Sequence, residues 1–156
     1  MVNDSIRISL FSQGILFVYY QVIEWVNLFP WNDISGGNGQ ASLDLIVAAL
    51  LAVLILATWR RFRWVMVIGV GLYALWTWLQ IDSWWMPYFR GASPNWENIY
   101  ARFFGETIKW LPSDSSHLSP DASHIVLQML ILAALVSTAL SVFQLFSKSR
   151  CPALGQ

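Results

Sequence analysis

Charged residues are scarce in this chain. Asp, Glu, Lys and Arg make up 12% of its 156 residues, about half of the roughly 25% that is typical of a soluble domain. Positive and negative residues are equal in number, so the formal net charge is zero. We therefore expect neither a surface that is solvated all round nor a nucleic-acid partner.

Cysteine, histidine and catalytic motifs are also scarce. Cys151 is the single cysteine, which excludes an internal disulfide and a CxxC redox pair. The two histidines, His117 and His124, lie seven residues apart on the same predicted side, so they cannot hold a haem between them. GxSxG, HExxH, Walker and Rossmann patterns are absent, and the glycines of residues 36–39 lack the ending of a phosphate loop. The sequence contains no haem, nucleotide or iron–sulfur motif, and the cofactor is unknown.

Long apolar runs fill most of the chain instead. Four stretches cover about 8–29, 43–59, 64–81 and 120–147, and each is near the roughly 20 residues that a helix needs to cross a bilayer. In lipid, such helices satisfy their own backbone hydrogen bonds. The sequence predicts an all-α fold, an antiparallel four-helix transmembrane bundle that forms a single membrane domain over residues 1–156.

The cations are sorted along the chain in a way that predicts its orientation. Six of the nine fall on one side of the predicted helices, namely Arg7, Arg60, Arg61, Arg63, Lys148 and Arg150. Because Lys and Arg are enriched in cytoplasmic segments, both termini should lie in the cytoplasm and the first and third loops outside. We expect a multi-pass protein of the plasma or inner membrane, with the lipid bilayer as its first partner.

The third loop carries the signal of a further helix. Ser93 followed by Pro94 has the form of an N-cap and a first helical residue, and aromatic residues then recur at helical spacing. We predict an amphipathic helix over about 94–110 on the outer surface of the membrane. Ser119 and Pro120 repeat the signal, which predicts the start of the fourth long helix there, with Asp121 in its first turn.

Glu24 lies inside the end of the first predicted helix, where a carboxylate is costly and usually faces a cavity or a partner. Helical spacing aligns Gln13, Tyr20 and Asn27 with it. If the polar stripes of the long helices converge, they form an outward-facing pocket lined by Glu24, Tyr20, Asn27, Gln80, His124 and Gln128, with Asp44 and Asp82 at its rim. The competing hypothesis is structural, since Glu24 can also extend to the interface or accept one interhelical hydrogen bond.

Residues of metal-binding types occur near the fourth helix. His117, Asp121 and His124 lie close in sequence, and the last two share a helical face. Their spacing matches no standard metal motif, and Asp121 is already explained as a helix-start residue. A metal site at these residues and pH sensing by the histidines are minor hypotheses.

These observations leave three functional hypotheses open. The first is a protein without enzymatic activity that binds or passes a small ligand or ion through the pocket around Glu24. The second is an accessory subunit of a larger membrane complex, or a homo-oligomer, since small-residue stripes such as Ala133, Ser137 and Ser141 let helices approach closely. The third is an intramembrane enzyme acting on a lipid or quinone, for which the sequence offers no second catalytic group.

Overall fold

The computed structural model of the chain describes residues 2–35, 41–114 and 116–150. Over these ranges the protein is helical, without strands, and a single antiparallel bridge joins Lys109 to Asp121. The helices are α1 (Val2–Trp25), α2 (Ala41–Arg60), α3 (Arg63–Gln80), α4 (Met86–Arg90), α5 (Pro94–Phe103) and α6 (Ala122–Arg150). A π-helical turn, Ile81–Trp85, joins α3 to α4 without a break.

Four helical segments are long and apolar enough to cross a membrane, which confirms the four predicted helices. They cover Asp4–Trp25, Ser42–Arg60, Arg63–Arg90 and Ala122–Ser147. Their surfaces away from the core are apolar, and Phe11 and Phe143 are each 70% exposed. An apolar surface of this extent is typical of a protein covered by lipid or by other apolar chains.

The first and third long helices end at residues that differ from the prediction. The first helix ends at Trp25 rather than near residue 29, because the chain turns where Asn27 Oδ1 accepts a hydrogen bond from the Phe29 backbone N–H at 3.2 Å. The third helical segment passes residue 81 through the π-helical turn and ends at Arg90, with Gly91 as its C-cap. Gly91 has a φ of 91°, a conformation that residues with a Cβ rarely adopt.

The long helices pack around a core shared by all four. α6 packs against α1 and α3, and α2 also contacts both of these helices. Contacts of Ser5 with Gln144 and of Tyr19 with the Ser123 carbonyl show that α1 and α6 run in opposite directions. The core between the helices is formed by buried apolar and aromatic residues, including Leu16, Tyr20, Leu51, Leu54, Tyr73, Leu127, Ile131 and Ala134.

Gln13 belongs to a buried polar cluster that joins three helices. Its Nε2 donates to Thr58 Oγ1 of α2 at 3.1 Å and to Thr138 Oγ1 of α6 at 2.8 Å. Ser9 contacts the same Thr138 hydroxyl at 3.0 Å. The side chain of Gln13 is fully buried, so its hydrogen bonds fix how α1 sits against α2 and α6.

The helix of the third loop begins as predicted and ends early. Ser93 Oγ accepts from the Trp96 N–H at 3.3 Å, and Pro94 is the first helical residue. α5 ends at Phe103 rather than near residue 110, because the chain after it extends between the first loop and α6. Ile108 donates to the Pro30 carbonyl at 2.9 Å and accepts from the Ala122 N–H at 2.8 Å.

The N-cap of α6 is Asp121 and not Ser119. Asp121 Oδ1 accepts from the His124 backbone N–H at 2.9 Å, which is the hydrogen bond of an N-cap aspartate. The Ser119 hydroxyl instead donates to the Pro120 carbonyl at 2.9 Å. The predicted start was therefore two residues early, and Asp121 is the residue that precedes the first turn rather than a residue within it.

Candidate functional site

A polar cleft of about 170 Å³ lies where α1 and α5 end and α6 begins. The first loop and the extended segment after α5 meet there, because the Ile108 N–H donates to the Pro30 carbonyl and Lys109 pairs with Asp121. The cleft is lined by Ile23, Glu24, Asn32, Asp33, Ile34, Phe103, Phe104, Asp121, Ser123 and His124. Three carboxylates and one imidazole therefore face a space that also has aliphatic and aromatic walls.

Asn32 positions the first loop against α1 and leaves one acceptor unused. Its Nδ2 donates to the carbonyls of Ile23 at 2.7 Å and Val26 at 3.1 Å, which are among the carbonyls that a helix end leaves unsatisfied. The side chain is 7% exposed. Its Oδ1, turned away from these carbonyls, is buried without a hydrogen-bond partner. An unsatisfied buried acceptor of this kind costs roughly 1 to 3 kcal/mol.

Asp33 contributes a carboxylate that is ionised at neutral pH. The Ser35 backbone N–H donates to Asp33 Oδ1 at 2.8 Å, and the hydrogen bonds from Ser35 lower the pKa of the carboxyl. Sequence analysis did not identify Asn32 or Asp33 as site residues. A local signal existed, because an Asn-Asp pair just after a helix end is typical of side chains that cap carbonyls and form turns.

Asp121 and His124 form a close pair on the first turn of α6. Asp121 Oδ1 lies 2.7 Å from His124 Nδ1 and accepts from the Ser123 hydroxyl at 2.9 Å. Burial by itself would raise the pKa of the Asp121 carboxyl, but its hydrogen bonds with His124 and Ser123 outweigh burial and lower it. The pairing engages Nδ1 and leaves Nε2 as the ring nitrogen available to a molecule in the cleft.

Aromatic residues hold the His124 ring in place. The ring lies on Trp84 with centroids 3.9 Å apart and meets Phe104 edge-on at 5.4 Å. Trp84 also packs against Trp96 at 5.5 Å and Phe104 at 4.8 Å. Trp84 itself is buried. The π-helical turn thus brings an indole from the α3 segment to the back of the cleft.

Glu24 lines the cleft, as the pocket hypothesis expected, and lies within electrostatic range of His124 and Asp44. Asp44 is not at a rim but buried, where its Oδ1 accepts from the Tyr20 hydroxyl at 3.2 Å. Asp82 is exposed on the π-helical turn, and neither of these aspartates lines the cleft.

The other predicted pocket residues lie elsewhere. Asn27 is exposed in the turn after α1, Gln80 is half-buried at the end of α3, and Tyr20 and Gln128 lie in the interior. Gln128 Oε1 is buried without a hydrogen-bond partner. Of the six predicted pocket residues, the structure brings only Glu24 and His124 to the cleft.

The predicted metal residues do not come together. His117 lies in an exposed loop, where its Nδ1 is 3.2 Å from Asp114 Oδ1, while Asp121 and His124 pair at the cleft. Hydrogen bonds from the backbone N–H groups of Ser116 and His117 hold the pKa of Asp114 well below its usual range. Within residues 2–35, 41–114 and 116–150, no group of three His, Cys, Asp or Glu side chains could hold a metal ion.

Lys109 stabilises the segment beside the cleft. Its ammonium donates to the Phe104 carbonyl and, at 2.8 Å each, to the carbonyl and hydroxyl of Thr107. Burial lowers the pKa of Lys109. Three oxygens of its own loop thus hold this cation. Lys109 is not among the residues that line the cleft.

The fold and the cleft together define a helical protein with four segments capable of crossing a membrane and a small acidic cleft at one end of them. Comparison with known protein families, with curated proteins and with solved structures finds no match to this chain. The argument for function therefore rests on the residues of the cleft.

Proposed function

We propose that this chain is an integral membrane protein that binds a small ligand in the polar cleft. Its four long helices cross the plasma or inner membrane as an antiparallel bundle, with both termini in the cytoplasm and the cleft open to the outer side. The observation that carries the proposal is the cleft itself, where Glu24, Asp33 and Asp121 line one space beside the buried, unpartnered Asn32 Oδ1.

The arrangement favours binding over a purely structural role for these carboxylates. A folded protein stabilises charged side chains by pairing them or by leaving them in water. Asp121 is paired with His124, whereas Asp33 accepts from the Ser35 N–H of its own turn and lines the cleft. Acidic groups collected around a cavity with an unused acceptor are suited to a ligand that carries donors.

The orientation is supported by the distribution of cations and can be tested by labelling. We expect a membrane-impermeant maleimide to label a Ser113→Cys, Cys151→Ser variant in intact cells, because Ser113 lies in the exposed third loop. The natural Cys151 should be labelled only after the membrane is permeabilised. Labelling of Cys151 in intact cells, with Ser113→Cys protected, would reverse the orientation and place the cleft in the cytoplasm.

The binding proposal is tested by native mass spectrometry of the protein extracted in nanodiscs. We expect a monomer or homo-oligomer that carries a small adduct, and we expect the Glu24→Gln variant to lose it. Asp82→Asn is the matched control, because this carboxylate is exposed at the same end of the helices and does not line the cleft. An adduct that survives Glu24→Gln would show that the cleft is not its site.

A role as accessory subunit is the second candidate, and the exposed aromatic residues favour it. Trp78 is 63% exposed and Phe143 70%, and such side chains fit against lipid and against other transmembrane helices alike. The same mass spectrum distinguishes the two functions. Stoichiometric foreign chains without a small adduct would support the accessory role and would assign the cleft to packing.

A further inference from the structure

We infer that the turn between α2 and α3 binds the phosphate headgroup of an anionic phospholipid. Three of residues 60–63 are arginines, Arg60, Arg61 and Arg63, and all three side chains are exposed. This arginine turn lies at the end of the helices opposite the cleft, because Trp64 packs against Phe146 near the end of α6 whereas the cleft is at the start of that helix. The site is therefore separate from the cleft and requires only that the helices cross the membrane as proposed above.

The charge at this end of the protein favours an anion. Four described segments form the halves of the long helices toward the arginine turn, namely 2–13, 51–60, 63–71 and 137–150, and within them Asp4 is the only acidic residue. Asp4 lies in the first turn of α1, within electrostatic range of Arg7. Arginines thus outnumber carboxylates here. Since opposite charges attract, the ligand of this end should carry negative charge.

Aromatic rings hold two of the guanidinium groups. Arg60 Cζ lies over the Trp59 ring, 5.0 Å from its centroid. Arg63 Cζ lies over the rings of Trp64 at 5.9 Å and of Phe146 at 5.3 Å. Such contacts use the positive charge and need no hydrogen-bond acceptor, and a guanidinium has five N–H donors in a planar fork that fits two oxygens of one phosphate. The rings therefore restrict the motion of side chains whose N–H groups suit a phosphate.

The backbone of the turn places an arginine where glycine is usual. The Arg61 N–H donates to the Thr58 carbonyl at 3.2 Å and the Phe62 N–H to the Ala57 carbonyl at 2.8 Å, the pair of hydrogen bonds that ends a helix in a Schellman motif. Arg61 has a φ of 59°, in the left-handed region that glycine adopts more readily than other residues. Helix termination alone would favour glycine, so the arginine side chain indicates a further role.

Exposed aromatic residues favour a lipid over a phosphate dissolved in water. Trp59 is 62% exposed, Phe62 56% and Trp64 65%, and these residues lie among the arginines along the chain. Tryptophan is enriched at the depth of the lipid headgroups, so the guanidinium groups beside these rings should lie at the level of the phospholipid phosphates. The glycerol and acyl chains of a phospholipid can cover the exposed rings, whereas a soluble phosphate has no carbon chain to do so.

The test is native mass spectrometry of the protein released from nanodiscs that contain equal amounts of phosphatidylglycerol and phosphatidylcholine with identical acyl chains. We expect the retained lipids to favour phosphatidylglycerol by at least about 25-fold, two factors of the roughly fivefold that one cation near an anionic surface is worth. Arg60→Gln should lower this preference about fivefold. Arg61→Gly should do the same and still fold, because glycine suits the conformation of residue 61.

Arg102→Gln is the matched control. Arg102 is exposed, and its Cζ lies 5.0 Å from the centroid of the Phe103 ring, as far as Arg60 Cζ lies from that of Trp59. It belongs to α5, beside the cleft, so its removal should leave the preference unchanged. Each variant is compared after its thermal unfolding midpoint is shown not to fall below that of the parent.

A double variant, Arg60→Lys with Arg63→Lys, separates a phosphate site from a topology signal. Lysine and arginine count alike in orienting a membrane protein, so maleimide labelling should report the orientation of the parent. Lysine lacks the planar fork of donors. We therefore expect the preference for phosphatidylglycerol to fall about threefold or more, in the range that one hydrogen bond is worth.

The inference is overturned if the parent retains the two lipids equally, or if Arg102→Gln lowers the preference as much as Arg60→Gln. A lysine variant that keeps the full preference would also overturn it and would leave the arginine turn as a topology signal. Pyrophosphate is the soluble probe, added to nanodiscs of phosphatidylcholine alone. A stoichiometric pyrophosphate adduct that Arg60→Gln removes would assign the turn to a soluble phosphate instead of a lipid.

Discussion

Replacing Asp121 by alanine should destabilise the protein by about 3 kcal/mol. The loss of an N-cap costs about 1 kcal/mol, and the hydrogen bond that joins the ionised carboxylate to the His124 ring at 2.7 Å is worth roughly 1.5 to 3 kcal/mol. The hydroxyls of Ser123 and Thr107 also donate to Asp121, but the loss of these two hydrogen bonds should cost less stability. Ser123 lies 3.3 Å from His124 Nδ1, and Thr107 already donates to the Phe104 carbonyl at 2.8 Å.

Asp121→Asn separates the two contributions, because asparagine caps a helix about as well as aspartate but carries no charge. We expect it to cost about half as much as alanine, in line with the two terms above. The assay is unfolding of the detergent-solubilised protein by heat or SDS, followed by circular dichroism, with hydrogen exchange to locate the change at the start of α6. Asp82→Asn should stay within about 0.5 kcal/mol of the parent. A value for Asp121→Ala within that same margin, or an asparagine variant as unstable as the alanine variant, would refute the assigned role.

Three further outcomes follow from the structure. Gln13→Leu should change the unfolding free energy by less than about 1 kcal/mol. The substitution removes the hydrogen bonds to Thr58 and Thr138, worth roughly 0.6 kcal/mol each in membrane proteins, but it also removes the buried, unpartnered Oε1, which is unfavourable. A loss above about 2 kcal/mol in SDS unfolding would contradict this expectation. Trp84→Ala should cost about 3 to 5 kcal/mol and release the His124 ring, which a change in the ring's proton chemical shifts would report and unchanged shifts would exclude. Because the pKa of Asp121 is lowered in the folded state, the ionised carboxylate contributes its full stability above the unfolded-state pKa of about 3.9. This contribution is lost as the pH falls through the folded-state pKa. The stability difference between the parent and Asp121→Asn should therefore shrink below about pH 4, and a difference that grows there would contradict the lowered pKa.

The helices could be predicted because an apolar run is a local property of the sequence. The end of α5 and the start of α6 could not, because contacts distant in sequence set them. α5 ends at Phe103 because Ile108, in the segment that follows, forms backbone hydrogen bonds with Pro30 and Ala122. No pattern within residues 94–110 indicates these hydrogen bonds. The cap of α6 could be either of two polar residues on the two sides of Pro120, Ser119 or Asp121, and the extended segment that pairs with Asp121 through Lys109 favours Asp121.

The site was predictable only where a residue was unusual in its own helix. Glu24 stood out because a carboxylate is rare in an apolar run, and His124 because it lies on the polar face at the start of a long helix. Gln80 and Gln128 were placed with them by periodicity, which fixes spacing along a helix but not the rotation of that helix against its neighbours. Asn32 and Asp33 reach the cleft because the first loop folds back on α1, and loop conformation is the least local part of this fold.

The packing of α6 against α1 has a consequence for biosynthesis. Both Glu24 and the polar cluster around Gln13 find partners or neighbours on α6, the helix that the ribosome makes after the other five. Until it arrives, the Gln13 amide keeps its contact with Thr58 of α2 but lacks the one with Thr138, and the space beside Glu24 lacks the wall that Asp121, Ser123 and His124 provide. Docking of α6 against α1 thus completes the buried polar cluster and the cleft in one event.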